Sequence, residues 1–390
     1  MSYPLASTTW DQAEYAAIQK VVDSGMFTMG KYVAEFEKNF ATYTGSKYCV
    51  MVNSGSSANL AMVAALIYRK EGALKRGDEV IVPAVSWSTT YYPLYQYGLK
   101  IKFVDINLDT LNYDLEQLAA AVTDKTRAIM TVNLLGNPND FDAIQKIVAG
   151  RDIIVLEDNC ESMGAEFNGR QAGTHGLMGS YSTFFSHHIA TMEGGMVVTD
   201  DEELYHILLS VRAHGWTRNL PKENLVCGTK SDDPFVESFR FVLPGYNLRP
   251  LEMSGAIGIE QVKKLPGIIQ ERRANAANFL ELMKAYPAFR VQAEIGKSSW
   301  FGFSLVINVD APFTRADAVA AFEKFKIDCR PIVAGNFAKN EVVKWFDSSV
   351  HGELVNANYI DTHGLFIGNH HYGLDEQFSL LKEALDSLPA

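Results

Sequence analysis

The sequence predicts an α/β protein: a mostly parallel sheet covered by helices on both faces, followed by a smaller C-terminal α/β unit. Three observations carry that expectation. Seven short apolar runs, at residues 48–52, 79–82, 101–105, 128–132, 153–158, 181–185 and 196–199, predict a seven-stranded sheet. Helical patterns such as 115–122 and 141–148 separate them, and strands that alternate with helices pair in parallel through crossovers. The first run leads through N-S-G-S-S-A-N into an Ala-, Leu- and Met-rich helix at 58–68.

Residues 1–30 end in M-F-T-M-G and read as an arm and loop, and a helix pattern follows at 32–43. The turn after the first strand places Gly55, Ser56 and Ser57 where free backbone N–H groups and the positive end of a helix receive a phosphate. Ligands of such sheets lie at the carboxyl ends of the strands, which is where Trp87, Asp158, Ser182 and His187 fall. From Leu251 a long helical pattern crosses toward a second unit, whose expected strand at 300–309 and helix at 314–325 precede C-R-P-I with Arg330. The chain is therefore expected to divide near residue 250, into 1–250 with an N-terminal arm and 251–390.

At 390 residues, 47% hydrophobic and 21% charged, the chain can bury a large core. Its net charge of -11 argues against nucleic acid or an anionic membrane as partner. No apolar run reaches the ~20 residues of a membrane span, and the N-terminus lacks a basic stretch followed by an apolar one, so a cytoplasmic location is expected. Cys49, Cys160, Cys227 and Cys329 are scattered, which excludes a zinc or iron–sulfur pattern, and no metal is expected.

The chemistry centres on S-T-F-F-S-H-H-I-A-T-M-E-G-G at 182–195, with Asp158 placed 29 residues before His187 at the end of I-I-V-L-E-D. This layout resembles the nucleotide-sugar aminotransferase family of fold type I pyridoxal-phosphate enzymes, in which a Ser-x-His-x-x-Lys motif supplies a cofactor-bound lysine. Here His187 stands at the lysine position, and no lysine occurs between Lys146 and Lys222. The chain is most similar to the lysine-free sugar dehydratases of that family, through W-S-T-T-Y-Y-P, E-D-N-C-E-S-M-G-A and S-H-H-I-A-T-M-E-G-G together.

The resemblance implies pyridoxal or pyridoxamine 5′-phosphate held without a covalent lysine, L-glutamate as amino donor, and a GDP-linked 4-keto sugar of colitose synthesis as substrate. Asp158 would face the pyridine nitrogen, Trp87 would stack on the ring, Glu161 would approach the ring hydroxyl, and Ser182 would bind the phosphate. Asn247, in P-G-Y-N-L-R-P, would reach the phosphate in a neighbouring subunit, which implies a homodimer with shared sites. His214, Arg218, Arg249 and Arg330 would meet substrate or glutamate carboxylate, since guanidinium forks suit such oxygens. His187 can carry protons near neutral pH but cannot tether the cofactor, and His188 is the alternative register. Two other readings share the pattern: an aminotransferase using a different lysine, and a non-catalytic paralogue.

Overall fold

The computed structural model describes residues 2–389. Two helices, α1 (Gln12–Ser24) and α2 (Lys31–Thr44), precede β1 (Tyr48–Val52) and α3 (Gly55–Tyr68). Then come β2 (Glu79–Pro83), α4 (Ser88–Gln96), β3 (Lys100–Val104), α5 (Leu115–Ala121), β4 (Thr126–Val132), α6 (Phe141–Val148) and β5 (Ile154–Asp158). Next are β6 (Met178–Ser182), β7 (Gly195–Thr199), α7 (Glu202–Val211) and the 32-residue α8 (Glu252–Met283). The remainder holds β8 (Phe289–Arg290), β9 (Gly302–Ile307), α9 (Arg315–Lys324), β10 (Cys329–Arg330), β11 (Ser348–Val350), α10 (Val355–His363), β12 (Gly364–Gly368) and α11 (Asp375–Asp386).

The main sheet runs β1-β7-β6-β5-β4-β2-β3-β11, and β7 alone is antiparallel to its neighbours. It has eight strands rather than the expected seven. The eighth, β11, comes from beyond residue 250 and pairs in parallel with β3. Its S-S-V sequence is too short and too exposed to give an apolar signal. Both faces of the sheet are buried: Val80 and Val82 of β2 point into one core cluster and Ile81 into another, as the period of two along a strand requires. β6 also ends earlier than the apolar run suggested, at Ser182, so Phe184 and Phe185 leave the sheet and are exposed.

Close helix packing fixes the frame around the sheet. α2 begins at Gly30, which has no capping side chain, and the buried carboxylate of Glu252 from α8 accepts instead from the N–H groups of Gly30 (2.6 Å), Tyr32 (2.7 Å) and Val33 (3.3 Å). A negative group there satisfies orphan donors and meets the positive end of the helix. Gly255 and Gly258 let the two helices touch: a Cβ on Gly255 would lie 2.5 Å from the Val33 nitrogen, and one on Gly258 would lie 2.5 Å from the Phe36 ring. Further along α8, Ala276, Phe279 and Met283 join the core of a second, antiparallel sheet of order β8-β9-β12-β10, where Phe279 stacks on Phe303 at 4.2 Å. Tyr3 from the N-terminal arm is buried in that same core. We propose that the chain divides near residue 250, with β11 returning from the C-terminal part to the edge of the main sheet.

Candidate active site

A cavity of about 330 Å3 opens at the carboxyl ends of the central strands. Gly55 and Ser56 at the start of α3, Trp87 before α4, Asp158 at the end of β5 and Ser182 at the end of β6 all line it. Glu161, His187 and Arg330 complete the wall. Local sequence places each of them. Ser54 caps α3, accepting from the Ser57 N–H at 3.1 Å, so the first turn of the helix is aimed at the cavity. Gly55 is required by packing, because a Cβ there would lie 2.7 Å from the Ser182 Cβ and 3.0 Å from Cys160 Sγ. Ser57, the third residue expected to meet the phosphate, spends its N–H on Ser54 and lies outside the lining.

Asp158 is only 5% exposed. Its Oδ2 accepts from Asn59 Nδ2 (2.8 Å) and Thr90 Oγ1 (2.7 Å), and its Oδ1 accepts from the Cys160 N–H (3.2 Å). Ser180 Oγ donates to Asn59 Oδ1 at 2.6 Å, which fixes the amide with its NH2 toward Asp158. Sequence reasoning missed Asn59 and Thr90. The signal was present in a buried Asn within an otherwise apolar helix, which needs a polar partner.

Glu161 accepts from the Leu135 N–H at 3.2 Å. Burial pushes its carboxyl above the usual range, with nearby Asp158 adding to the rise and the Arg330 guanidinium opposing it. Trp87 is 56% exposed, so its indole is open apolar surface at the mouth of the cavity.

The two adjacent histidines separate cleanly. His187 faces the cavity, with Phe301 at 5.1 Å and Phe184 at 5.9 Å between ring centroids. Burial, then Arg330 and Arg272, push its imidazole down to about 3, so it is neutral at pH 7 and its Nδ1 has no partner. His188 is fully buried behind it, with Nε2 3.3 Å from the Ser299 carbonyl oxygen, and does not line the cavity. No lysine lines the cavity among the described residues. The site thus offers a helix start whose free N–H groups and positive end suit an anion, a flat apolar wall, a fixed carboxylate and a neutral imidazole.

The profile of the DegT/DnrJ/EryC1/StrS aminotransferase family matches residues 8–379. The chain belongs to this family. Among curated proteins it is 64% identical to the GDP-4-keto-6-deoxy-D-mannose 3-dehydratase of Yersinia pseudotuberculosis, over 98% of this chain and 99% of that one. The solved structure of the E. coli GDP-4-keto-6-deoxy-D-mannose-3-dehydratase with bound hydrated PLP superposes with a TM-score of 0.98 at 64% identity, covering 99% of both chains. Another solved GDP-4-keto-6-deoxymannose-3-dehydratase, with a trapped PLP-glutamate geminal diamine, gives a TM-score of 0.97 at 64% identity over 98% of this chain and 100% of that chain.

In this member of the aminotransferase family the remaining expected site residues lie outside the cavity lining. His214, Arg218 and Arg249 gather instead around Trp216. The His214 ring centroid lies 4.8 Å from that of Trp216, and the Arg218 and Arg249 guanidinium carbons lie 4.5 and 5.8 Å from its centroid. Asn247 is exposed, and its Oδ1 accepts from Arg249 Nε at 3.0 Å. Phe239 and Phe241 stand beside Trp216 and are 69% and 54% exposed. Arg330 alone of the four expected substrate residues lines the cavity, with its guanidinium 4.7 Å from the Phe366 ring centroid.

Proposed function

We propose that the chain catalyses the pyridoxal-phosphate- and glutamate-dependent removal of the C-3 hydroxyl of GDP-4-keto-6-deoxy-D-mannose, giving the 4-keto-3,6-dideoxy sugar and ammonia. The reaction balances with one L-glutamate consumed and one 2-oxoglutarate formed. The oxygen lost by the sugar leaves as water, and water returns an oxygen to the oxidised glutamate carbon. The single observation that carries the reading is the neutral His187 facing the cavity in a chain with no lysine there.

The residues present fit the cofactor. Gly55, Ser56 and Ser182 leave a small-residue cradle at a helix start for its phosphate, and Ser57 supports that cradle through Ser54. Trp87 would give the ring a flat face to lie against, and Asp158, held by three donors, would pair with its nitrogen. Glu161, also in the lining, would meet the ring hydroxyl. The chemistry drawn from the bound group is an amino function, taken from L-glutamate, and a ring that accepts and returns an electron pair.

His187 then takes a proton from the cofactor side and returns it to the departing oxygen at C-3 of the sugar, acting as base and then as acid. Arg330 receives a carboxylate or phosphate oxygen of the incoming ligand. That anionic charge offsets the guanidinium and brings the imidazole back toward the range where proton transfer runs in both directions. Asn247, with His214, Arg218 and Arg249, serves the site of a second copy of the chain, and the enzyme is a homodimer. The exposed Phe239 and Phe241 beside them suit a covered face. No helix among the described residues is long and apolar enough to cross a membrane. The cytoplasm, which supplies nucleotide sugars and glutamate, is the location that fits.

The test is incubation with pyridoxal phosphate, L-glutamate and GDP-4-keto-6-deoxy-D-mannose, following ammonia, 2-oxoglutarate and product mass. A product lighter by one oxygen with equimolar ammonia is expected. An amino sugar without ammonia would make the chain an aminotransferase instead.

A further inference from the structure

Behind the histidine loop lies a buried cation that nothing in the reaction uses. Arg272 of α8 is 4% exposed, and among the described residues no carboxylate comes within ion-pair distance of it. A buried guanidinium normally has an acidic partner, because desolvating an unpaired charge is costly. Here the partners are backbone oxygens. Its Nη1 donates to the carbonyls of Phe301 (3.0 Å) and Trp300 (3.4 Å), and its Nε has no partner. Asn369 Nδ2 ties the same segment, donating to the carbonyls of Arg272 (3.0 Å) and Trp300 (2.9 Å).

Residues 299–301 are also what His187 and His188 rest on. Phe301 packs against both imidazoles at 5.1 and 5.6 Å, and the Ser299 carbonyl meets His188. Trp300 is held at a φ of 48°, a left-handed conformation that a large side chain rarely adopts without external support. Arg272 therefore grips the wall that backs the histidine loop while placing an uncompensated positive charge behind it.

We propose that Arg272 is a positioning residue for His187: its guanidinium fixes the 299–301 wall on which the imidazole rests and sets an unpaired positive charge behind it. The inference rests on the reading of His187 as the acid–base group. Burial displaces the imidazoles of His187, His188, His370 and His371 downward, and the Arg272 charge adds to the shift in each. The other groups around His187 are Arg330 from β10, Asp158 at the end of β5, Glu161 just beyond it, and Glu193 and His188 on its own loop. Asp158, Glu161 and Glu193 are the acids of the cavity wall, and Arg272 and Arg330 are the positive charges that act on His187.

The experiment titrates His187 in the holoenzyme by NMR of labelled imidazole, assigned by loss of its signal in His187→Asn, alongside the pH profile of kcat/KM. Arg272→Gln keeps a donor for the two carbonyls and removes the charge, and Arg272→Lys keeps the charge and removes the fork. The Gln variant should raise the His187 midpoint, and with it the acid limb, by about one pH unit, whereas the Lys variant should leave the midpoint in place. A folded Gln variant that titrates like the parent overturns the proposal, and so does a Lys variant whose midpoint rises. If the Gln variant does not fold, the Lys variant decides alone. The imidazole titration is read without turnover, so a chain that is no dehydratase would still answer it.

Discussion

His187 and His188 are neighbours in sequence, and their surroundings give them different chemistry: one faces the cavity and the other is sealed against the Ser299 carbonyl. His187→Asn should lose dehydration by about 10²–10⁴-fold, the usual contribution of a positioned acid–base group, and keep its cofactor on gel filtration. His187→Lys should bind the cofactor covalently, shown by borohydride trapping, and transaminate glutamate without deoxygenating the sugar. His188→Asn should be milder in ammonia release, and the opposite ranking would move the assignment by one residue. His188 also gives a pH signature, because burial and then Arg272 hold it well below the ordinary imidazole range. The unfolded chain takes up that proton first, so the stability is intact above about pH 6.5 and is lost as the pH falls toward the folded value. His188→Gln lacks this dependence, so the gap in urea midpoint between parent and variant should be wide at about pH 7.5 and narrow at about pH 5. The 29-residue spacing from Asp158 marks His187 along the chain itself. Asn59 and Thr90 orient that aspartate from 99 and 68 positions away, and the chain marks only Asn59, as a polar residue in an apolar helix, without naming its partner.

At the scale of elements, the site depends on where helices begin. The start of α3 meets the end of β6 so closely that Gly55→Ala must displace Ser182 or Cys160. It should destabilise the protein by about 1–3 kcal/mol and weaken cofactor retention, read by thermal unfolding and by absorbance after dialysis. The start of α2 depends on Glu252, and Glu252→Ala leaves three N–H groups without their acceptor. A loss of about 1–3 kcal/mol in chemical unfolding is expected, with little effect on the cavity chemistry. The strands and helices of the main sheet were legible because each carries its own period, two or near four, over five residues or more. β11 was not, since three residues, S-S-V, find their place only through the edge that β3 presents.

The whole molecule raises the question of the second copy. If Asn247 serves a partner's site, the chain sediments as a dimer, and Asn247→Ala lowers cofactor retention without unfolding the subunit. A fully active monomer in the ultracentrifuge would sink both statements. By itself the sequence determined the α/β class, the small-residue turn that opens a helix at Gly55–Ser57, the acid at Asp158 and the absence of a lysine from the loop, because each is a local pattern or a fixed spacing along the chain. The tertiary structure alone decided that Ser57 turns inward to its cap and that Arg330 reaches the cavity. It also decided that His214, Arg218 and Arg249 meet around Trp216, and that Arg272 lies unpaired behind the histidines. These outcomes depend on contacts between segments far apart in sequence, set by how α8 and the second sheet pack on the first, and periodicity along a chain carries no record of them.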